Sequence, residues 1–354
     1  MTTLKDILLK RIAHQGPMNI ADYMAECLMH PKYGYYQTAK VFGADGDFIT
    51  APEVSQMFGE MLGLWCAVRW AAMGKPASFY LIELGPGRGT LMADMLRAAN
   101  AAPGFGNAVK VAFVEASDQL RAVQAEKVPH AKWFDRLADV PDGPSIIVAN
   151  EFFDALPIHQ FEKRNGKWLE RAVAAEGETL KPVLVPASAK LALLPARVRA
   201  AADGSIAEVC PAGLSVAGDI AARFTHHTGT ALVIDYGYAI SAPGDSFQAL
   251  KAHAYVDPLS EPGLADLTAH VAFDQIALAA ESKGGVCSRI TQQGQFLMRL
   301  GIGARAQQLA TSVEANGQER ILGELKRLTA PDEMGELFKV LAIQSPNLPS
   351  PPGL

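Results

Sequence analysis

Three glycines at alternate positions, Gly85, Gly87 and Gly89, follow an acid, Glu83, in the stretch FYLIELGPGRGTLMADML at 79–96. Backbone N–H groups in a glycine turn that feeds a helix start make a cradle for an anionic group. More polar groups come later: Glu115, Asp135, the cluster Asn150-Glu151-Phe152-Phe153-Asp154, and Asp235. Carboxylates of this kind can accept hydrogen bonds from hydroxyls, hold a cationic group, or take a proton as general base. An anion cradle beside a set of acids describes a site for a ligand that carries charges of both signs.

Two common ligand motifs do not fit the turn. The dinucleotide fingerprint requires a small residue where Thr90 stands, and a P-loop requires a lysine that the turn lacks. S-adenosylmethionine (SAM) suits what remains. Its carboxylate matches the glycine amides and the helix start, and its ammonium and sulfonium match acids such as Glu83. A glycine turn serving only helix–strand packing has no need of the acid. Glu115 stands where a second parallel strand should present a carboxylate to ribose hydroxyls, and Asp135 where an acid could meet the adenine amino group. Ahead of the turn, GADGDFITAPE carries Gly46 and Phe48 together with Asp45, Asp47 and Glu53. Long ordered loops are often functional, and Phe48 is placed to wall the cofactor or the side chain it modifies. The expected cofactor contacts are thus Glu83, Gly85, Gly87, Gly89, Glu115, Asp135, Asn150, Gly46 and Phe48. Glu151 and Asp154, three apart in one turn, are the expected catalytic pair. The plainer alternative is a helix cap or a contact to the SAM ammonium for Glu151, and a cap for the following turn for Asp154. No metal site is expected, because neither the histidines nor the cysteines are spaced as ligands.

The elements that must position these groups are readable from the pattern. Residues 79–82 form an apolar run suited to a strand buried on both faces. Leu91, Met92, Met95 and Leu96 give the following helix one apolar face. Further strands are expected at 109–114, 131–134, 145–149, 230–234, 286–291 and 337–344, with a helix at 118–127. Two helices broken at Gly16-Pro17 open the chain, and Ser55 should cap a helix that runs to about Met73. Between 159 and 185 the reading is strands, with a hairpin turn at Asn165-Gly166. Helices are expected at 191–202, 214–227, 273–282 and within 294–328, with a long loop at 246–262. Strands alternating with helices argue for a doubly wound α/β sheet, whose ligands bind beyond the carboxyl ends of the strands. That rim is where the acids fall.

Composition sets the outer bounds. The chain has 354 residues, 49% of them hydrophobic, and a net charge of −5. Its basic residues never gather beyond pairs such as Lys163-Arg164, so nucleic acid is disfavoured as a partner. Cys27, Cys66, Cys210 and Cys287 are scattered, as buried thiols in a reducing compartment are. The start, MTTLKDILLKRIAHQG, lacks a signal peptide's apolar core and carries Asp6. With no apolar run of about 18 residues for a membrane span, a cytoplasmic protein without membrane insertion is the expectation.

Several longer blocks carry a family likeness: YMAECLMHPKYGYY, GDFITAPEVSQMFGE, ELGPGRGTL, NEFFDALP, IDYG, PGLADLTAHVAF, TQQGQFLMRLGI and MGELFKVL. Together they resemble the class I SAM-dependent methyltransferases, and more narrowly the family of the complex I assembly methyltransferase MidA. The likeness covers nearly the whole chain, with one departure at Ala272, where an aspartate is expected. It implies a seven-stranded Rossmann-like sheet in residues 76–345, an insertion after the fourth strand at about 156–213, an N-terminal helical region and cofactor-site loop in 1–75, and a mobile tail at 346–354. It also implies a protein arginine methyltransferase that makes symmetric dimethylarginine on a respiratory complex I subunit. The alternatives are a methyltransferase for another side chain or a small molecule, a non-catalytic assembly chaperone, and, least favoured because of Thr90, a nicotinamide dehydrogenase.

Overall fold

A computed structural model describes residues 2–37 and 50–354. These fall into two compact units, each drawn from separated stretches. One holds 2–37, 154–215 and 240–272, and the other holds 50–153, 216–239 and 273–354. The stretch expected as one N-terminal region, 1–75, is therefore shared between them.

The larger unit is built on one sheet. Its strands are β1 (Phe79–Leu84), β2 (Val109–Val114), β3 (Lys132–Phe134), β4 (Ser145–Asn150), β5 (Gly229–Tyr238), β6 (Val286–Cys287) and β7 (Phe338–Gln344). They lie in the order β6-β7-β5-β4-β1-β2-β3. From β5 to β3 all neighbours are parallel, while β7 runs antiparallel to β5 and β6. The apolar run Ser145–Asn150 is buried at every position, as a strand covered on both faces requires. The expected strand at 286–291 is two pieces, β6 and Thr291–Gln292, both paired with β7. Between them the Ser288 hydroxyl accepts from the Ala342 amide at 3.0 Å, so a side chain interrupts the backbone ladder.

Helices α1 (Gln56–Ala72), α2 (Thr90–Ala99) and α3 (Asp118–Lys127) belong to this unit. Ser55 caps α1, its hydroxyl accepting from the Met57 amide. Gly59 and Gly63, one turn apart, let α1 settle closely on α2. A Cβ at Gly59 would stand 2.4 Å from Asp94 Cβ, and one at Gly63 only 2.3 Å from the Met95 carbonyl oxygen. Phe58, Trp65, Phe79, Leu81, Phe113, Ile146 and Leu232 fill the core between the helices and the sheet. Truncating one of these aromatics should cost about 3–5 kcal/mol. The tail, expected to be mobile, is instead held here. Buried Arg69 donates to the Pro349 carbonyl at 2.9 Å, Gln344 donates to the Leu348 carbonyl at 2.9 Å, and Leu354 packs against the core.

The smaller unit is antiparallel. Its hairpin joins His159–Arg164 to Lys167–Glu176 through Asn165 and Gly166, whose φ values of 52° and 73° are those of a two-residue I′ turn. Thr179–Pro186, Ile206–Val209 and Met18–Asn19 extend the sheet. Helices Leu4–Gln15 and Ile20–Met29 contribute Leu8, Tyr23, Met24 and Cys27 to its core. The helix expected at 191–202 is only a 3-10 turn, Ala189–Leu193, and one helical turn, Ala196–Arg199. Pro195 separates them, because a proline pushes the residue before it out of helical backbone. The loop expected at 246–262 contains strands Gln248–Lys251 and Ala254–Val256, which pair with each other, and the first also pairs with Asp266–Thr268.

Candidate active site

The chain passes from β1 to β2 and β3 on one side, then crosses back to lay β4 against the other side of β1. Beyond the carboxyl ends of β1 and β4 lies the crevice that such a reversal creates. The glycine turn leaves β1 at this point. Gly85, Gly87 and Gly89 have φ of 62°, 50° and 75°, left-handed backbone that favours glycine. Their surroundings differ. A Cβ at Gly85 would stand 2.9 Å from the Phe152 ring, and one at Gly89 would stand 3.5 Å from Gln124. At Gly87 a Cβ would meet none of the described residues within 4 Å. Gly89 caps α2 without a side chain, so the first N–H groups of α2 keep their hydrogen-bonding capacity.

Glu115 ends β2 beside this turn. Its Oε1 accepts from the Ser117 amide at 2.8 Å, and burial raises its pKa against the opposing pull of its hydrogen bonds and of Arg121. The residue that joins Glu115 to the turn is Gln124, fully buried on α3. Its Nε2 donates to the Gly87 carbonyl at 2.8 Å and to Glu115 Oε2 at 3.2 Å, and its Oε1 accepts from Trp133 Nε1 at 2.8 Å. One amide thus locks the turn after β1, the end of β2 and the side chain of β3. Sequence reasoning passed over Gln124. Its signal was a polar residue four places from Leu120 on the buried face of α3.

At the end of β4 the backbone enters left-handed space at a residue other than glycine: Glu151 has φ of 49°. Glu151 Oε1 accepts from the Ala51 amide at 3.0 Å and from Asn150 Nδ2 at 3.1 Å. Asp235, fully buried in β5, anchors the two phenylalanines next in the chain. Its Oδ2 accepts from the amides of Phe152 and Phe153 at 3.2 and 2.9 Å, and its Oδ1 accepts from the Tyr236 amide at 2.9 Å. Backbone strain such as that at Glu151 costs about 1–3 kcal/mol and persists where the surroundings over-determine it, often at functional sites.

The other expected residues are more dispersed. Glu83 is buried in β1, with the Cys66 thiol of α1 near it, and burial holds its carboxyl well above the usual range. Asp135 follows β3 at the surface, paired with Arg121, which also donates to the Glu115 carbonyl. Asp154 belongs to the smaller unit, where it is buried, accepts the Ala269 amide at its carbonyl, and lies close enough to Tyr36 to act, as Asp266 does, on the Tyr36 hydroxyl. Gly46 and Phe48 lie outside the described residues. Glu53 reaches the start of α2, accepting from Thr90 Oγ1 at 2.6 Å, and faces Arg88 at 3.8 Å. His253, in the turn of the small hairpin, has φ of 63° and is exposed. Among the described residues no cluster of histidine, cysteine, aspartate or glutamate could hold a metal ion, and no helix is long and apolar enough to cross a membrane.

SAM fits the groups present. Asn150 Oδ1 and Glu83 Oε2 are buried acceptors without a hydrogen-bond partner among the described residues, and an ammonium is the donor such acceptors need. Space over Gly87 and amides at the start of α2 that no described residue takes up, with the half-buried Glu115, supply the rest. This sheet order, with an antiparallel strand inserted beside β5, and this glycine turn paired with an acid on β2 define a class I SAM-dependent methyltransferase.

The family model of S-adenosyl-L-methionine-dependent methyltransferases called Methyltransf_28 matches residues 61–291, and the chain belongs to that family. The protein is accordingly a SAM-dependent methyltransferase, with SAM as its cofactor. Among its relatives is the Drosophila melanogaster "Protein arginine methyltransferase NDUFAF7 homolog, mitochondrial", 38% identical over 95% of this chain and 83% of that one. The Homo sapiens "Protein arginine methyltransferase NDUFAF7, mitochondrial" is 36% identical over 95% of this chain and 82% of its own. Among solved structures, a COG1565 superfamily member from Burkholderia thailandensis bound to S-adenosyl-homocysteine superposes with a TM-score of 0.86 at 29% identity. The match covers 99% of this chain and 93% of that one.

Proposed function

We propose that this chain is a protein arginine N-methyltransferase that forms symmetric dimethylarginine on a respiratory complex I subunit during assembly, in the cytoplasm of a bacterial-type cell. The observation that carries the reading is the exit of β4, where a strained Glu151 holds a carboxylate in place beside Asn150. The names of the relatives, protein arginine methyltransferases, support arginine as the acceptor. Arginine is a poor nucleophile because its guanidinium stays protonated, with a pKa above about 12. An enzyme must hold the planar fork, aim one nitrogen, and take its proton. Carboxylates match the fork as bidentate acceptors.

Bound SAM supplies an electrophilic methyl group. In this proposal Glu83, Gly85, Gly87, Gly89, Glu115, Asp135 and Asn150 hold the cofactor, as do Gly46 and Phe48 outside the described residues. Glu151 orients the guanidinium and accepts its proton. Asp154, near Tyr36 in its own unit, supplies a second buried carboxylate for a cation. Positioning of the two reactants can be worth about 7–11 kcal/mol, more than the roughly 10²–10⁴-fold from a proton acceptor.

The test is incubation with isotopically labelled SAM and isolated complex I subunits, then mass spectrometry of the modified residues. Label on arginine, as the symmetric dimethyl form, is the expected result. Label on another side chain or only on a small molecule would replace the arginine reading. SAM binding with no transfer to any acceptor would favour an assembly chaperone that keeps the fold.

A further inference from the structure

The larger unit carries a second concavity, of about 590 Å³, where β6 gives way to Thr291–Gln292. Arg289, Arg299 and Lys339 line it together with Thr291, Gln292 and Gln295. No side chain among the described residues that line it is acidic, and Leu354, the last residue of the sequence, lines it as well. The Arg289 guanidinium makes no hydrogen bond or ion pair with any described residue. Arg299 spends one N–H on the Gly353 carbonyl, at 3.1 Å. Lys339 donates to the carbonyls of Glu336 and Leu337, which leaves one of its three N–H groups over. Burial also pulls the Lys339 ammonium below the usual lysine range, only partly opposed by the Glu336 carboxylate. The helix Gln293–Leu300 begins at the same place, and its cap residue Gln292 makes no side-chain cap. Three like charges gathered round one hollow repel one another, and an anion held among them relieves that repulsion.

We propose that this concavity binds a phosphate-bearing anion. The two guanidinium forks match phosphate oxygens in pairs, Lys339 adds a point charge, and the hydroxyl and amides of Thr291, Gln292 and Gln295 are further polar partners. A single carboxylate, such as a main-chain carboxylate at Leu354, balances one of the three cations, and the charge of a phosphate or pyrophosphate answers the other two. The site uses none of the groups assigned to methyl transfer. It lies close to them all the same: Lys339 sits directly opposite Asp235 in the β5–β7 register, and Asp235 anchors the loop after Glu151.

Calorimetric titration of the purified full chain with pyrophosphate and with adenosine diphosphate, at ionic strength held constant with sodium chloride, tests the proposal. Saturable binding is expected, weakened about 10-fold or more by Arg289→Ala, since charge-assisted, bidentate hydrogen bonds are the strong ones. Arg289→Glu should weaken it further. Because Arg289 is exposed and unbonded to any described residue, both variants should fold and bind S-adenosylhomocysteine as the parent does. Tighter binding of the diphosphate nucleotide would mean that the anion arrives on a nucleotide, and equal affinities that the phosphate alone is recognised. No heat above the chloride control, or binding that Arg289→Ala leaves unchanged, would overturn the assignment.

Discussion

The two banks of the crevice are built on different principles. On the bank of β1 and β2, polar atoms satisfy one another: Gln124 serves the Gly87 carbonyl, Glu115 and Trp133 with a single amide. On the bank of β4, Glu151 is held in left-handed backbone and the Asn150 oxygen lies buried without a partner among the described residues. A bank that must only bind can be settled before its ligand arrives. The bank proposed to handle a proton keeps strain and, in Asn150 Oδ1, a buried acceptor without a partner among the described residues, and Asp235 anchors the residues that follow. The comparison predicts that substitutions on the first bank act on cofactor affinity, while those at Glu151 on the second act on turnover.

The largest effect should come from the β4 bank. Glu151→Gln keeps an acceptor oxygen for the Ala51 amide but removes the negative charge and the proton acceptor. Methyl transfer should fall by about 10²–10⁴-fold while affinity for SAM survives. Transfer measured with labelled SAM, beside titration of the same variant, separates the two quantities. Unimpaired methylation would take Glu151 out of the mechanism and dissolve the distinction between the banks.

Next in size is Gln124→Leu, on the binding bank. It leaves the Gly87 carbonyl, Glu115 Oε2 and Trp133 Nε1 each short of a partner, and a buried unsatisfied group costs about 1–3 kcal/mol. Lower thermal stability and an S-adenosylhomocysteine affinity weakened about tenfold are expected, with turnover at saturating SAM little changed. A loss confined to turnover would mean that Gln124 belongs to the chemistry rather than the cradle.

The glycines sharpen the same contrast. Alanine at Gly85 or Gly87 carries the left-handed cost of about 1–2 kcal/mol. At Gly85 its methyl also meets the Phe152 ring on the opposite bank, so Gly85→Ala should lower affinity and turnover together. At Gly87 the methyl enters open space, so Gly87→Ala should lower affinity for the cofactor alone. Equal kinetic profiles for the two variants would show that the space over Gly87 is not where the ligand lies.

How much of this was legible in the sequence depends on where the information sits in the chain. The glycine turn, β1, β2 and the Ser55 cap are local signals, a few adjacent residues whose types fix their conformation, and the structure places all of them as expected. Gln124 and Asp235 act through partners far away in sequence, and no local pattern names such a partner. The strands at Gln248–Lys251 and Ala254–Val256 were hidden for another reason. Their turn uses Ala252 and His253 at φ of 51° and 63°, where a hairpin ordinarily advertises itself with glycine or asparagine. The division between the units was equally hidden, because it falls between Phe153 and Asp154, inside a single motif.

The smallest effect concerns Glu83, whose bank is still to be decided. Its folded carboxyl is held well above the ordinary value of 4.5, and burial is the cause. As pH rises through 4.5 the unfolded chain gives up this proton while the folded chain keeps it. The unfolded state then binds fewer protons, and stability falls with pH until the folded group also ionises. Against Glu83→Gln, the parent should therefore lose stability as the solution moves from acid towards neutral, by no more than about 1.4 kcal/mol per pH unit. A cationic ligand placed beside Glu83 would favour its charged form and flatten that slope. Thermal unfolding of both proteins across pH, with and without saturating SAM, reads the difference. A slope that SAM leaves intact would place Glu83 behind the cradle, as a neutral acid packed towards Cys66 and α1, and would leave Asn150 Oδ1 to meet the ammonium of the cofactor.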